Sequence, residues 1–506
     1  AGVAGVRPVE AAPETFSSRW GLVLATLGMA VGTGNIWRFP RVVASNDGGS
    51  FLVAWVVFLL LWSVPLMIVE FAFGKRSRRG TVGAFAALAG RGRAWMGAWV
   101  ALCATAIMFY YAVVSGWCLR YFWAALVGEL GIAEPGGLWD AYAGSPAAVA
   151  TQAAALGLAF AVVWFGVRGI ERVAKVLIPT LALLVVVLAV RAVTLPGAER
   201  GLDFLFTPDW AALAAPKVWV EALTQNAWDT GAGWGLILTY AIYMRQREDV
   251  PLNAFLIGFG NNSMSLLAGI MVLCTVFALN PAASAEIVGA GNEGLTFVWM
   301  PQLFARMPGG AFFQVLFFAA LSFAALTSLI SMLELATRVL IDFGIGRRPA
   351  LALVGAAGFV LGVPSALSME VFQNQDWVWS LGLMLSGLFF ALAALRFGVE
   401  RLRREVVNGP GVDLPVGRWW VWVVAVLVPV EAAVLLVWWL AQAAQGDLGE
   451  VLAPWSTFNV GTVLVQWGIA LAVLLAANRW LAARSLARGA GEAPEPTPLG
   501  QRGVAP

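Results

Sequence analysis

Two stretches decide how this chain folds: Gly28-Met-Ala-Val-Gly-Thr-Gly-Asn35 and Asn226-Ala-Trp-Asp-Thr-Gly-Ala-Gly-Trp-Gly235. Each lies inside an apolar block, at 18–46 and 216–244. The first scatters glycines through the middle of its block and ends on an amide; the second carries the Asp229 carboxylate among three glycines. A helix facing lipid cannot leave backbone groups unpaired in hydrocarbon, so both stretches must line a cavity or bind something. Glycine-mediated helix packing is the plain alternative, and it does not explain Asp229. Interrupted spans at corresponding places in two halves point to a transporter built from inverted repeats, with its site at the breaks.

The surrounding composition agrees. Of 506 residues, 60 % are apolar and 12 % charged, with mean hydropathy +0.80. Globular domains carry roughly twice that share of charge. Apolar blocks recur at 18–46, 50–74, 95–128, 150–167, 170–195, 216–244, 250–280, 309–342, 349–364, 375–398, 417–444 and 456–483, which reads as twelve spans. Each is near the ~20 residues that cross a bilayer. A disordered chain, a collagen and a disulfide-stapled domain are excluded. No nucleic-acid partner is expected either, because net charge is only +3 and the arginines flank apolar blocks.

Two absences narrow the chemistry. There is no histidine, so imidazole metal sites, histidine-based triads and histidine proton shuttles are impossible. Cys103, Cys118 and Cys274 lie in apolar runs without ligand-like spacing and read as small buried hydrophobes.

Basic residues set the orientation. Lys75, Arg76, Arg78, Arg79, Arg91 and Arg93 follow span 2; Arg168, Arg172 and Lys175 follow span 4. Arg245 and Arg247, Arg347 and Arg348, Arg401, Arg403 and Arg404, then Arg484 and Arg488 follow the later even-numbered spans. The intervening loops lean acidic, with Glu129, Glu134, Asp140, Glu286, Glu293, Asp447 and Glu450; Arg200, Lys217 and Arg306 are exceptions. By the positive-inside rule both termini are cytoplasmic, in a plasma (inner) membrane.

The stretch GMAVGTGNIWRFP (28–40) followed by NDGGSF (46–51) resembles the first-span signature of the neurotransmitter:sodium symporter family. The likeness continues through PLMIVEFAFG (65–74 with Pro65), FYYAVVSGW (109–117), GIERVAKVLIPTL (169–181), GWGLILTYAIY (233–243) and FAALTSLISMLE (323–334), in family order and spacing. Spans 11 and 12 match in hydropathy only. The resemblance implies an all-α integral membrane fold of twelve helices. Ten form a 5+5 inverted repeat with spans 1 and 6 broken, and two more follow. It divides the chain into an N-terminal cytoplasmic segment (1–17), a ten-helix core (18–398, halves 18–195 and 216–398), two additional helices (399–484) and a mobile tail (485–506).

The resemblance also implies site residues. Sodium site one would use the Ala30 carbonyl, the Asn35 side chain, Asp229 and Asn261; site two would use the Gly28 and Val31 carbonyls with Ala324, Thr327 and Ser328. Sodium is a hard cation served by such oxygens, although Thr327 and Ser328 can also bond back to their own helix. The substrate carboxylate would meet the freed amides of Thr33 and Gly34 and the Tyr111 hydroxyl, and the amino group carbonyls from Ala227 to Thr230. Gly32 stands where amine-carrying members have Asp, which implies an amino-acid substrate. Ile107, Trp228, Gly231, Trp234, Ser331 and Met332 would select its side chain, and Ser328 would meet the substrate as well as sodium; Trp234 and Met332 shorten the pocket, and Gly231 opens one side. No charged partner is among them, so the cargo reads as neutral, with a small one preferred and a medium or aromatic one open.

Gln225, Asn261 and Ser265 match the chloride site of chloride-dependent members, but Asp229 replaces its serine and Trp55 its tyrosine. A fixed carboxylate there implies chloride-independent transport. Arg38 and Asp376 match the outer gate pair, with Tyr111 and Trp228 as an aromatic lid, while Tyr243 and Asp342 match inner gate residues. The family's N-terminal Arg-x-x-Trp is absent: Pro13-Glu-Thr-Phe16 stands there, so the inner latch is rebuilt, with Arg7 or Arg19 as candidates, or weaker.

The reading is sodium-coupled symport of a neutral amino acid by alternating access, as monomer or homodimer. Its rivals are a proton-coupled transporter of the same fold with Asp229 as carrier, a transport-inactive sensor, and an intramembrane enzyme. The last lacks support, because Glu70, Asp229 and Glu334 lie on different spans.

Overall fold

The computed structural model describes residues 14–131, 136–410 and 412–487. Readings that concern Arg7, Pro13, Glu134, Arg488 and the segments 1–13 and 488–506 lie outside the described residues. Within them the chain is helical, with no β-strand.

The helices that position the site are, in chain order, α1 (Arg19–Ala30), α2 (Phe39–Ala44), α3 (Gly49–Ser77), α4 (Arg91–Val127), α5 (Pro146–Trp164) and α6 (Gly166–Val193). There follow α7 (Pro216–Asp229), α8 (Leu236–Ala241), α9 (Val250–Leu279), α10 (Gly310–Asp342), α11 (Arg347–Leu367), α12 (Met369–Phe397) and α13 (Trp419–Ala443). Last come α14 (Val460–Ala476) and α15 (Asn478–Ala487). Among the described residues nine of these are long and apolar enough to cross a membrane. The protein is therefore multi-pass.

The spans divide by what surrounds them. The apolar windows of α4, α10 and α12 are 83 %, 78 % and 78 % buried within the protein, against 33 % for α5 and α6. The first three form the centre. The last two turn Val176, Leu183 and Val190 of α6 and Leu158 of α5 outward, as lipid-facing helices do. Because hydrocarbon outside is as apolar as the side chains, association rests on close packing at small residues. Gly233 and Gly387 show this: a β-carbon on Gly233 would stand 2.9 Å from the Gly387 Cα.

One span departs from the sequence reading. The block 456–483 is not straight, because α14 and α15 meet at 60°. Asn478 pins the bend: its Oδ1 accepts from the Trp95 amide at 3.0 Å, and its Nδ2 donates to the Arg91 carbonyl at 3.2 Å.

Neither α1 nor α7 crosses a membrane by itself. After Ala30 the chain turns extended at Val31 (φ −75°, ψ 93°) and re-enters a π-helical turn over Gly34–Arg38 before α2. Between α7 and α8, Gly231, Gly233 and Gly235 take φ of +73°, +88° and +78°. Only glycine adopts that left-handed backbone at little cost, so the alternating glycines of 231–235 enforce the break.

Candidate functional site

A broken helix frees backbone groups, and at membrane depth something must satisfy them. Three buried side chains do so. Asn35 Oδ1 accepts from the Gly32 amide at 2.8 Å. The Tyr111 hydroxyl oxygen accepts from the Thr33 amide at 3.2 Å. Glu70, at 0 % exposure on α3, accepts from the Gly233 amide at 2.6 Å and the Leu238 amide at 3.2 Å. The Thr33 amide, expected to be free for a substrate carboxylate, is thus already paired with Tyr111.

The two breaks open onto one cavity. Of the residues expected to bind substrate, Gly32, Thr33, Gly34, Tyr111, Trp228, Gly231, Trp234, Ser328 and Met332 line it. Ile107, Ala227, Thr230 and Ser331 do not. Ile107 is fully buried in packing. The Thr230 hydroxyl is drawn to Ser63 (3.0 Å) and the Asn226 carbonyl (2.7 Å), and that of Ser331 to the Ser328 carbonyl (2.7 Å). The Ala227 carbonyl accepts from Trp234 Nε1 at 3.3 Å.

The cavity has walls that sequence reasoning missed. Met29, Trp37, Tyr110, Val114, Leu236, Phe372, Asn292 and Glu293 line it. These residues come from segments far apart in sequence, and nothing local says that they meet around one cavity. The Glu293 carboxyl, in a connecting segment outside the spans, is pushed above its usual range by burial, with the Arg41 charge opposing.

Gly231 does not open the cavity as expected. The point where its β-carbon would stand lies 2.8 Å from Met29 Sδ and 3.3 Å from Met29 Cε. The space that glycine vacates is filled by the methionine.

Next to the cavity is a knot of polar atoms. Asp229 Oδ2 accepts from Ser265 Oγ at 2.6 Å and from Asn35 Nδ2 at 3.1 Å. Asn35 Nδ2 also donates to Asn261 Oδ1 at 2.9 Å. Asn261 Oδ1 stands 3.2 Å from both the Ala30 and the Asp229 carbonyl oxygens. Asp229 Oδ1 is buried without a hydrogen-bond partner. Oxygens so gathered are satisfied by a cation among them or by the Asn261 amide turned end for end.

Where α1 meets α10, Thr327 Oγ1 donates back to the Phe323 and Ala324 carbonyls at 3.0 and 3.1 Å. Ser328 does not: its hydroxyl crosses to the Met29 carbonyl at 3.3 Å. A β-carbon on Gly28 would stand 3.3 Å from the Thr327 Cβ, so the end of α1 abuts this pair.

Arg38 and Asp376 both line the cavity, yet they form no ion pair; the Arg38 guanidinium instead lies 5.1 Å over the Trp228 ring. Trp228 meets Trp234 edge-on at 5.5 Å, and Tyr111 is engaged with Thr33.

Beyond Met332 along α10, contacts are dense. The Tyr243 hydroxyl donates to Glu334 at 2.7 Å, and Arg347 pairs with Glu334 at 2.6 Å. Asp342 pairs with Arg338 at 2.9 Å and accepts from the Gly80 amide at 2.6 Å. Arg338 also bonds the Tyr243 hydroxyl, so Tyr243, Glu334, Arg347, Arg338 and Asp342 form one connected cluster.

The N-terminal segment is held here without the family's arginine and tryptophan. The buried Phe16 ring meets Tyr240 and Tyr243 edge-on, and its amide donates to the Tyr243 carbonyl at 3.1 Å. Glu171 accepts from the Ser17 amide (2.8 Å) and hydroxyl, while Arg245 donates to the Phe16 and Ser17 carbonyls. Arg19, a candidate for this role, takes none of it; its Nη2 is buried without a partner.

Comparison with known proteins follows the same lines. The model of the sodium:neurotransmitter symporter family matches residues 13–148 and 146–484. The chain is 30 % identical over 450 residues to an uncharacterized sodium-dependent transporter of Methanocaldococcus jannaschii, covering 82 % of this chain and 88 % of the relative. It is 31 % identical over 448 residues to an uncharacterized sodium-dependent transporter of Bacillus subtilis, covering 84 % and 97 %. The crystal structure of MhsT in complex with L-phenylalanine superposes with TM-score 0.74 at 31 % identity, over 84 % of this chain and 99 % of that one. The chain belongs to the sodium:neurotransmitter symporter family. It is a sodium-dependent transporter, not an enzyme.

Proposed function

We propose that this protein carries a neutral amino acid into the cell with sodium, by alternating access around the two broken spans. The observation that carries the reading is the single cavity onto which both breaks open, with the Asp229 carboxylate at its edge. Twelve spans, the first ten as a 5+5 inverted repeat, and cytoplasmic termini complete the architecture. Basic residues concentrated after even-numbered spans support the orientation.

Two sodium sites are assigned. The first takes Ala30, Asn35, Asp229 and Asn261; it fits the unpartnered Asp229 Oδ1 and the facing oxygens of Ala30, Asp229 and Asn261. For Asn35 to serve as a ligand its amide must turn, because its oxygen now caps Gly32. The second takes Gly28, Val31, Ala324, Thr327 and Ser328, at the junction of α1 and α10. Sodium acts by linkage: it favours the substrate-bound closed state to the extent that it binds that state better.

Chloride is not required in this reading, because Asp229 bonds the Ser265 that would otherwise help hold the anion. Arg38 and Asp376 close the outer side over Tyr111 and Trp228, and the cluster of Glu334, Arg347, Tyr243, Arg338 and Asp342 closes the inner side. The cargo is a small neutral amino acid, since the bulky side chains of Trp234, Met332 and Met29 all line the cavity. A second reading, a bulkier apolar amino acid, is favoured by the L-phenylalanine held in MhsT.

The test is binding and vesicle uptake of a labelled panel, from glycine to phenylalanine, in sodium against choline and in chloride against gluconate. Sodium-dependent uptake unaffected by gluconate is expected. Uptake driven by a proton gradient without sodium would replace this reading with proton coupling, and sodium-dependent binding without uptake would make the protein a sensor.

A further inference from the structure

Met29 and Gly231 meet across the cavity between the two broken spans. The three atoms nearest a β-carbon built on Gly231 would be Met29 Sδ at 2.8 Å, Met29 Cε at 3.3 Å and the Ala30 Cα at 3.9 Å. Glycine leaves a gap one side chain wide, and a single thioether fills it. Both residues line the cavity. The backbone of Met29 is fixed, because its carbonyl accepts from Ser328 Oγ at 3.3 Å. Its side chain has three rotatable bonds and no hydrogen bond to break, so it moves at small cost. Neighbouring walls differ: Trp234 is tied to the Ala227 carbonyl and Tyr111 to Thr33.

We infer that Met29 is a specificity-determining residue of the transporter, its thioether filling the gap beside Gly231 and so limiting the cargo to a small side chain. The inference rests on the reading of this cavity as the amino-acid site. Removing the thioether leaves an apolar slot, and an apolar slot takes an apolar side chain. One or two methylenes in such a pocket change discrimination by about tenfold or more.

The experiment is equilibrium binding of labelled alanine and phenylalanine to the purified full chain in sodium, comparing wild type with Met29→Ala. The ratio of the two affinities is measured within each protein, so partial loss of folded material cancels. We expect wild type to favour alanine, and the ratio to move at least about tenfold toward phenylalanine in Met29→Ala. An unchanged ratio overturns the inference, as does a wild type that already favours phenylalanine. If Met29→Ala does not fold, Met29→Val must move the ratio the same way, and its failure to do so overturns the inference equally. A wild type that binds no amino acid in sodium fails earlier, at the reading of the cavity itself.

Discussion

Glu70, fully buried on an unbroken span, accepts the Gly233 amide at 2.6 Å and the Leu238 amide at 3.2 Å, and so ties the gap between α7 and α8 to α3. The carboxylate replaces the helical hydrogen bonds that the glycines give up. Glu70→Gln keeps one acceptor oxygen and turns an NH2 group toward a second donor. Its expected cost is about 1–3 kcal/mol, read as a lowered unfolding midpoint in detergent and reduced sodium-driven uptake.

Gly233 is constrained twice. Its φ is +88°, and a β-carbon there would meet the Gly387 backbone at 2.9 Å, which no rotamer change relieves. Gly233→Ala is expected to lose at least about 1–2 kcal/mol from the left-handed backbone alone and to fold poorly. Expression measured by fluorescence-detected size exclusion checks this, and wild-type behaviour would contradict it.

Asp229 supplies the negative charge beside the sodium reading's first site. Asp229→Ser removes that charge and leaves Gln225, Asn261 and Ser265 in place. Uptake by this variant is expected to fall at least tenfold in gluconate, about 1.4 kcal/mol or more, and to recover in chloride. Equal uptake in both anions would separate Asp229 from the chloride question.

Glu334 and Arg347 pair at 2.6 Å, with Glu334 completely buried. Removing one partner strands the other: Arg347→Leu is expected to cost about 3–5 kcal/mol, whereas Arg347→Leu with Glu334→Gln should cost less than the single change. Thermal unfolding of the four proteins of this cycle measures the coupling. Additive losses would mean that the pair contributes nothing beyond its separate packing.

Much of this molecule is written locally. Runs of apolar residues give helices that cross lipid, because lipid offers a peptide group no partner outside its own segment. The glycines at 231, 233 and 235 give the break, because a β-carbon excludes the left-handed backbone. Asp229 stands out in its block because an intramembrane charge is costly. Each of these follows from a residue and its immediate neighbours.

What could not be read depends on which distant side chain arrives. Gly231 suggested an open wall, but Met29, on another broken span, occupies it. Arg38 and Asp376 suggested an ion pair, but the guanidinium lies over Trp228. The missing Arg-x-x-Trp suggested Arg7 or Arg19 as its substitute, yet Arg19 takes no part, and Glu171 on α6 and Arg245 beyond α8 hold Phe16 and Ser17.

The sequence by itself determined that the chain is a multi-pass helical membrane protein with two broken spans, and its motifs pointed to a sodium-coupled symporter. Tertiary structure alone decided how the breaks are satisfied, what fills the space beside Gly231 and which groups hold the N-terminal segment. The division has a physical cause. Helix, break and membrane insertion answer to local propensity and to the solvent, whereas cavity shape and polar pairing answer to packing between segments distant in sequence, such as Met29 and Ser328, 299 residues apart.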